Sequence, residues 1–468
     1  MKNMFVFFAL LLFAAIQGQN VRYYDLQYKN RVGCNSLLLG GDKDNLYYFE
    51  YAGPGYNPKI AATILRYNRA EKVKEKQFLR TNVSFSHSKV FRIVAGRYVN
   101  NTISIYYTAR LDDEKKIALL AAEYDMEATL LRTVVLYRVM KQQELDKVQL
   151  FFSPDKQVIA CFYPGNFVLY DMHYKEIYNK TVNFTIVSDI NITNKGELAF
   201  IGNLGGILHL GRFTTTGDYM QIKIEMDEKI CDAYLKIVDE NTLGLCKIIG
   251  STQNSLAEIQ EKYELNNEAK GIIYSSFTID KLEQTELVTE MFNEQITETM
   301  GIRNQHIKWL SVDNIYKING STYIFLQKRY KKNLALNSKE EEEYKVAEDL
   351  LIIKISDNNL VMQKTYENHV MKNNSQPDYV ISPLFLQHNN RNVLFYYNTK
   401  VTAGEYKYEI VYGVLNSDLE MGNKVSYAMD AKRIMLDFSC VIPLTENSYL
   451  FPAYREKENK IGTAFLEF

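Results

Sequence analysis

The sequence predicts an all-β protein, a β-propeller assembled from repeated four-stranded meanders. Three observations carry that prediction. The stretch Val148–Tyr178 divides into four short apolar runs joined by three turns. A turn followed by an aromatic-rich run recurs eight times along the chain. The composition, with 35 Tyr and 24 Phe, favours strands over helices.

In the first of these stretches, Val148–Phe152 meets the turn Ser153-Pro154-Asp155-Lys156, and Val158–Tyr163 follows. Pro164-Gly165-Asn166 turns the chain into Phe167–Tyr170, and a charged turn leads on to Ile177-Tyr178. Gly, Pro, Asn and Asp between runs of Val, Ile, Phe and Tyr are the mark of strands and hairpins. Four such strands over about 40 residues make one propeller blade.

The first turn of that unit recurs at Gly41–Asn45, Val99–Asn101, Pro154–Gln157, Thr193–Gly196, Asp239–Asn241, Asn319-Gly320, Gln387–Arg391 and Thr445–Asn447. The third turn recurs at Arg66–Asn68, Glu123–Met126, Leu169–Met172, Arg212–Thr214, Thr278–Asp280, Ile355–Asp357 and Leu415–Asp418, once fewer. The last repeat stops one strand short at Ile461–Phe468, while Val21–Tyr28 is a strand with no hairpin partner nearby. The two tallies agree if the ring has eight blades and the N-terminal strand completes the last one. Seven blades is the alternative, with an arrangement of several sandwiches behind it.

Phe152–Ala160 (FSPDKQVIA) resembles the FSPDGKxIAF turn of TolB-type, WD40-like propeller repeats, with Gln157 shifting the register and the usual glycine missing. The resemblance covers about nine residues of one repeat. It implies the propeller fold and no particular activity, because such repeats serve scaffolds, peptidases and binding proteins alike. The leader and the compositional style also resemble secreted propellers of Bacteroidetes.

The leader itself is read from Met1-Lys2-Asn3, an apolar run Met4–Ile16, and Ile16-Gln17-Gly18 with cleavage before Gln19. That pattern predicts a secretory signal peptide over residues 1–18 and an exported protein: periplasmic, at the surface or secreted. About 13 apolar residues fall short of the roughly 20 that span a bilayer, so no stable membrane insertion is expected. Residues 19–468 then form a single propeller domain. The 55 basic and 56 acidic residues leave a formal charge of −1, which gives nucleic acid no electrostatic footprint. Five cysteines cannot all pair. Cys161, Cys231, Cys246 and Cys440 fall in strand-like runs and read as buried thiols, with Cys34–Cys440 the pair that ring closure could join.

Two repeats carry insertions, at 251–270 and 331–349, both between the second and third strands. In the first, Leu256, Ile259 and Tyr263 are spaced as on a helix face. The second carries Glu340–Glu343 and reads as a solvated loop tip. Thr285–Met300, ending at Gly301, reads as a third helix. No cofactor or metal signature appears: the six histidines are scattered and GxSxG is missing. The short first and third turns close hairpins, whereas the insertions and blade connections share the opposite, loop-rich face. Polar residues entering the innermost strands from that face are Arg92, Asp189, Asp232, His306, Lys308 and Arg433, and these are the candidate ligand contacts. The expectation is a non-catalytic binding or scaffold module for a protein, peptide or glycan. A hydrolase or lyase acting on an extracellular polymer through funnel residues is the alternative.

Overall fold

The structure, a computed structural model, describes residues 21–467 outside 24–27, 30–33, 43, 53–61, 69–77, 86–89, 112–116, 140–146, 164, 185, 225–228, 252, 261–262, 264–267, 301–306, 338–339, 357–359, 374–381, 389, 403–404, 429–433, 437, 439–440, 446–447 and 456–459. Among the described residues its strands form eight antiparallel sheets, six of four strands, one of five and one of six, and all but the last are meanders in chain order. The fold is a β-propeller. We number the sheets 1 to 8 along the chain. Their first strands begin at Cys34, Val90, Gln149, Ile186, Ile230, Leu310, Leu384 and Ile434. The first strands of sheets 1 to 6 contact one another in succession, so they line the central axis.

All eight first turns join the first and second strands of a sheet, and all seven third turns join the third and fourth. The eighth sheet takes its last strand from the other end of the chain. Val21, Arg22 and Tyr23 pair antiparallel with Leu466, Phe465 and Ala464, and Tyr28-Lys29 continues the same edge against Ile461 and Lys460. The last sheet, which has no third turn of its own in the chain, is thus completed by the N-terminal strand.

Apolar side chains fill each interface between successive sheets. Leu120 and Tyr107 pack with Phe49 and Ile64 between sheets 1 and 2. Phe167 and Leu169 face Phe200 and Phe213 between sheets 3 and 4. Between sheets 7 and 8 the filling is aromatic, with Phe395 set against Phe438 and Phe451 at 6.2 and 5.4 Å between centroids. The cluster of one interface gives way to that of the next across a single sheet, so both faces of a blade are buried, as the long apolar runs demand.

The hairpin loops repeat one chemistry. Asp125 Oδ1 accepts the N–H groups of Glu127 and Thr129; Asp171 does the same for His173 and Lys175, and Asn416 for Asp418 and Glu420. In these third turns a residue in the left-handed region follows: Ala128, Tyr174, Leu419, with Gly217 and Leu282 in the equivalent turns of sheets 4 and 5. The non-glycine ones are buried, and each packs in the cluster shared with the preceding sheet. The loop turns a knob into the neighbouring blade, so burial offsets the roughly 1–2 kcal/mol of backbone penalty. At Gly217 there is no room for a knob, since a Cβ would lie 2.9 Å from Tyr178 Cβ. In the turn resembling TolB repeats, Lys156 adopts φ 59° in place of the usual glycine.

Two segments differ from the sequence reading. The sixth-repeat insertion is no loop: Ser321–Asn337 and Glu340–Ile355 run as one long hairpin through it, and Glu343 stands opposite Asn333 in the ladder. The ladder runs on through Lys328–Lys332 and Tyr344–Ala347, stretches whose charge obscured the strand. Thr285–Met300 is half strand. Gln284–Met291 (QTELVTEM) is the outer strand of sheet 5, and only Glu294–Met300 is helical, started by Asn293 Oδ1 accepting the Ile296 N–H at 2.9 Å. Cys161, Cys231 and Cys246 are buried and outside any disulfide; the Cys34–Cys440 pairing lies outside the described residues.

Candidate functional site at the central channel

The innermost strands are bulged. Register shifts interrupt the first ladder of sheet 4 between Ser188 and Asn191, of sheet 5 between Ile230 and Asp232, and of sheet 6 between Val312 and Asn314. A bulge re-aims the side chain beside it, and at each one a carboxylate is turned sideways. Asp189, with φ 47°, accepts the Leu235 N–H of sheet 5 at 3.0 Å. Asp232, fully buried, accepts the Ala233 N–H at 2.9 Å and the Val312 N–H of sheet 6 at 2.7 Å. Asp313 pairs with Arg329 in a buried bridge closed by Ser382, which donates to Asp313 at 3.0 Å. Asn191 adds a link of its own, donating to Leu235 O at 2.9 Å. The carboxylates of three successive inner strands therefore fasten blade to blade.

Beside them lies a cavity of about 570 Å³, bounded by the first strands of sheets 3, 4 and 5. Phe151, Val187, Ile190, Tyr234 and Leu235 form its apolar and aromatic walls, with Gln149 and Asn191 as polar points. Ile259 also lines it, and that residue comes from the sheet 5 insertion. Asn254 anchors the insertion, its amide donating to Cys231 O at 2.8 Å and its N–H to Ile230 O at 3.0 Å. A short helix, α1 (Leu256–Gln260), follows and contacts the inner strands of sheets 4 and 5. Ser255 and Glu258 close its first turn reciprocally, with Ser255 N–H donating to Glu258 at 2.7 Å. Farther along, Tyr263 lies 5.8 Å from the Arg329 guanidinium and 5.1 Å from Lys345 Nζ. One insertion thus touches sheets 4, 5 and 6.

Burial shapes the titratable groups here. Burial, then the Asp189 charge, pushes the Tyr234 hydroxyl well up. Lys236, whose ammonium donates to Asn314 and lies 4.6 Å from the Tyr316 ring centre, is drawn down to about 8 by desolvation. No group of three or more metal-ligating side chains occurs among the described residues.

The six sequence candidates separate. Asp189 lines the cavity, and Asp232 lies on the next inner strand but is turned toward sheet 6. Arg92 is an exposed residue of the sheet 2 inner strand. Lys308 stands 3.9 Å from Glu268, away from the cavity lining. His306 and Arg433 lie outside the described residues. The sequence reading missed Asn191, Tyr234 and Asp313. An Asp or Asn inside an apolar strand run, as in Ser188-Asp189-Ile190-Asn191 and Val312-Asp313-Asn314, was the available signal.

No family model matches the chain, and no curated protein matches its sequence. Among solved structures it is similar to the WD40 domain of SCAP from fission yeast, at 7% identity over 97% of this chain and 98% of that one, with a TM-score of 0.41. It is similar also to the β-propeller domain of the Trilobed protease from Pyrococcus furiosus, at 9% identity over 82% and 94%, with a TM-score of 0.33. A Synechocystis apocarotenoid oxygenase aligns at 8% identity over 94% of each chain, with a TM-score of 0.39. Likenesses of that size carry neither a family nor a function to this chain.

Proposed function

We propose that the protein is an exported, non-catalytic propeller that binds a protein, peptide or glycan at the loop-rich end of its channel. The observation that carries this reading is the cavity wall. An insertion that the ring does not need for closure places Ile259 beside apolar and aromatic residues of three inner strands. Apolar walls with a few fixed polar points are the usual make-up of a ligand site. The hydrolase or lyase alternative needs acids converging on a substrate. Asp189, Asp232 and Asp313 instead face backbone N–H groups or Arg329 on neighbouring elements. Tyr330, hydrogen-bonded to Glu348 at 2.8 Å, is pushed upward by burial and then by that bond, the reverse of what a phenolate nucleophile requires.

The test fills the cavity without disturbing the blade-to-blade links. Gln149 is exposed at the cavity rim, so Gln149→Trp adds bulk there without burying a polar group. Binding partners captured by wild type should be lost by this variant at unchanged thermal midpoint. A folded Gln149→Trp protein that keeps every partner would place the site elsewhere. Export is tested on native material, whose mature chain should begin at or near Gln19; an intact Met1 removes that part of the reading.

A further inference from the structure

Trp309 is the chain's single tryptophan, and its placement is costly. It has φ 58° and is 36% exposed. The left-handed region is disfavoured for a bulky residue, and about a third of this one stays in solvent. The surroundings hold it there. Its carbonyl accepts the Arg329 N–H at 2.8 Å, and its ring packs on Tyr330 at 4.8 Å between centroids, 34° between planes. Residues kept in such conformations cluster at ligand sites.

A polar network continues from the stacked pair. Tyr330 donates to Glu348 Oε1 at 2.8 Å, and His369 Nδ1 lies 2.9 Å from the same oxygen. The His369 hydrogen bond is the main influence holding Glu348 below the usual carboxylate range. Lys328 stands opposite Glu348 in the ladder and donates to Asp349 at 2.6 Å. Glu348 and His369 are themselves cross-strand neighbours. The four polar side chains are 15 to 30% exposed, so they are fixed by one another yet open to solvent. All stand on sheet 6, whose second and third strands run 17 and 16 residues against 9 for its first.

We propose that Trp309 and Tyr330, with Glu348, His369 and Lys328 beside them, form a platform for a neutral glycan. A pyranose presents a face of C–H bonds and a rim of hydroxyls that both donate and accept. It therefore suits an aromatic face bordered by pre-oriented donors and acceptors. A nucleic acid would be repelled by Glu348 and Asp349, and Lys328 alone does not outweigh them. An extended peptide adds to a free strand edge, whereas Lys328 and Glu348 at the centre of the platform are paired in the ladder on both sides. This inference goes beyond the channel-site reading: it adds a second site, on sheet 6, and names its ligand class.

The single indole makes the assay direct. Its fluorescence is titrated with neutral oligosaccharides of defined linkage: maltoheptaose, xylohexaose, cellohexaose and chitohexaose, followed by a glycan array. A saturable change with one of them is expected, and calorimetry should show at least tenfold weaker binding for Trp309→Ala. Trp309→Gly, which relieves the backbone, should stay folded and bind equally poorly. Trp309→Phe should keep most of the affinity. Glycan binding that survives in folded Trp309→Gly overturns the platform and leaves the binding-module reading standing. So does a wild-type protein that binds no neutral glycan on the array while Gln149→Trp still abolishes capture of another partner.

Discussion

The fastening of sheet 5 to sheet 6 through Asp232 admits a quantitative test. The side chain is wholly buried and its two oxygens accept the Ala233 and Val312 N–H groups at 2.9 and 2.7 Å. Asp232→Ala strands two buried backbone donors, at roughly 1–3 kcal/mol each, so the expected loss is about 2–6 kcal/mol. Asp232→Asn keeps one acceptor and turns an amide N–H toward a donor, for about 1–3 kcal/mol. Heating is a blunt readout. At roughly 2.1 cal/mol/K per residue, a cooperative unit of this size moves only about 1 °C per kcal/mol. Amide hydrogen exchange is sharper, because each 1.4 kcal/mol or so is a tenfold change in opening. In Asp232→Ala the Val312 amide should exchange at least tenfold faster, while Ile105 and Leu120 in sheet 2 keep their protection. Equal protection at Val312 in a folded variant would show that this carboxylate does not hold the two blades together.

Other predictions follow from the loops, the channel and the seam. Leu419→Gly relieves a left-handed backbone but empties a fully buried position, so a net loss of about 1–3 kcal/mol in denaturant unfolding is expected; a gain would contradict the knob. Gly217→Ala adds a Cβ against Tyr178 at φ 81° and should cost about 2 kcal/mol or more by the same measurement. Lys236 gives up its proton near 8 in the folded state against 10.5 for an ordinary lysine, so between those values the unfolded chain holds more protons. Stability should therefore rise with pH from about 8 to about 10.5, and Lys236→Met should flatten that rise; parallel profiles would refute the assignment. Deleting residues 19–30 removes the strand paired to Lys460–Glu467 and should lower the melting temperature sharply or cause aggregation, whereas unchanged melting would mean that the seam carries no stability.

Much of the ring was legible because its signals are local. Asp, Asn, Gly and Pro mark hairpins through their own backbone preferences, and a missing third turn is visible as a count. The bulges were not legible. They arise where a first strand must lean toward its neighbour across the axis, a contact such as Asp232 with Val312 that spans 80 residues. A carboxylate inside an apolar run therefore looked like a channel group when its partner was a backbone N–H one blade away. The knobs were hidden for a similar reason: nothing in Leu282 or Leu419 announces a positive φ, because burial in the next interface holds it there. Of the site, the sequence placed an insertion at sheet 5, but Ile259 reaches the channel only because Asn254 ties the segment back to Cys231.

The seam between the two ends of the chain also sets how the molecule bears load. Val21 pairs with Leu466 and Lys29 with Lys460, so both ends of the described chain leave the eighth sheet at the same edge. Tension applied between them meets the hydrogen bonds one after another, as a zipper, beginning at Val21. Tension drawn along the strands would have to shear the whole row at once. Whatever is tethered to either end therefore pulls on the ring at the place where it opens most readily.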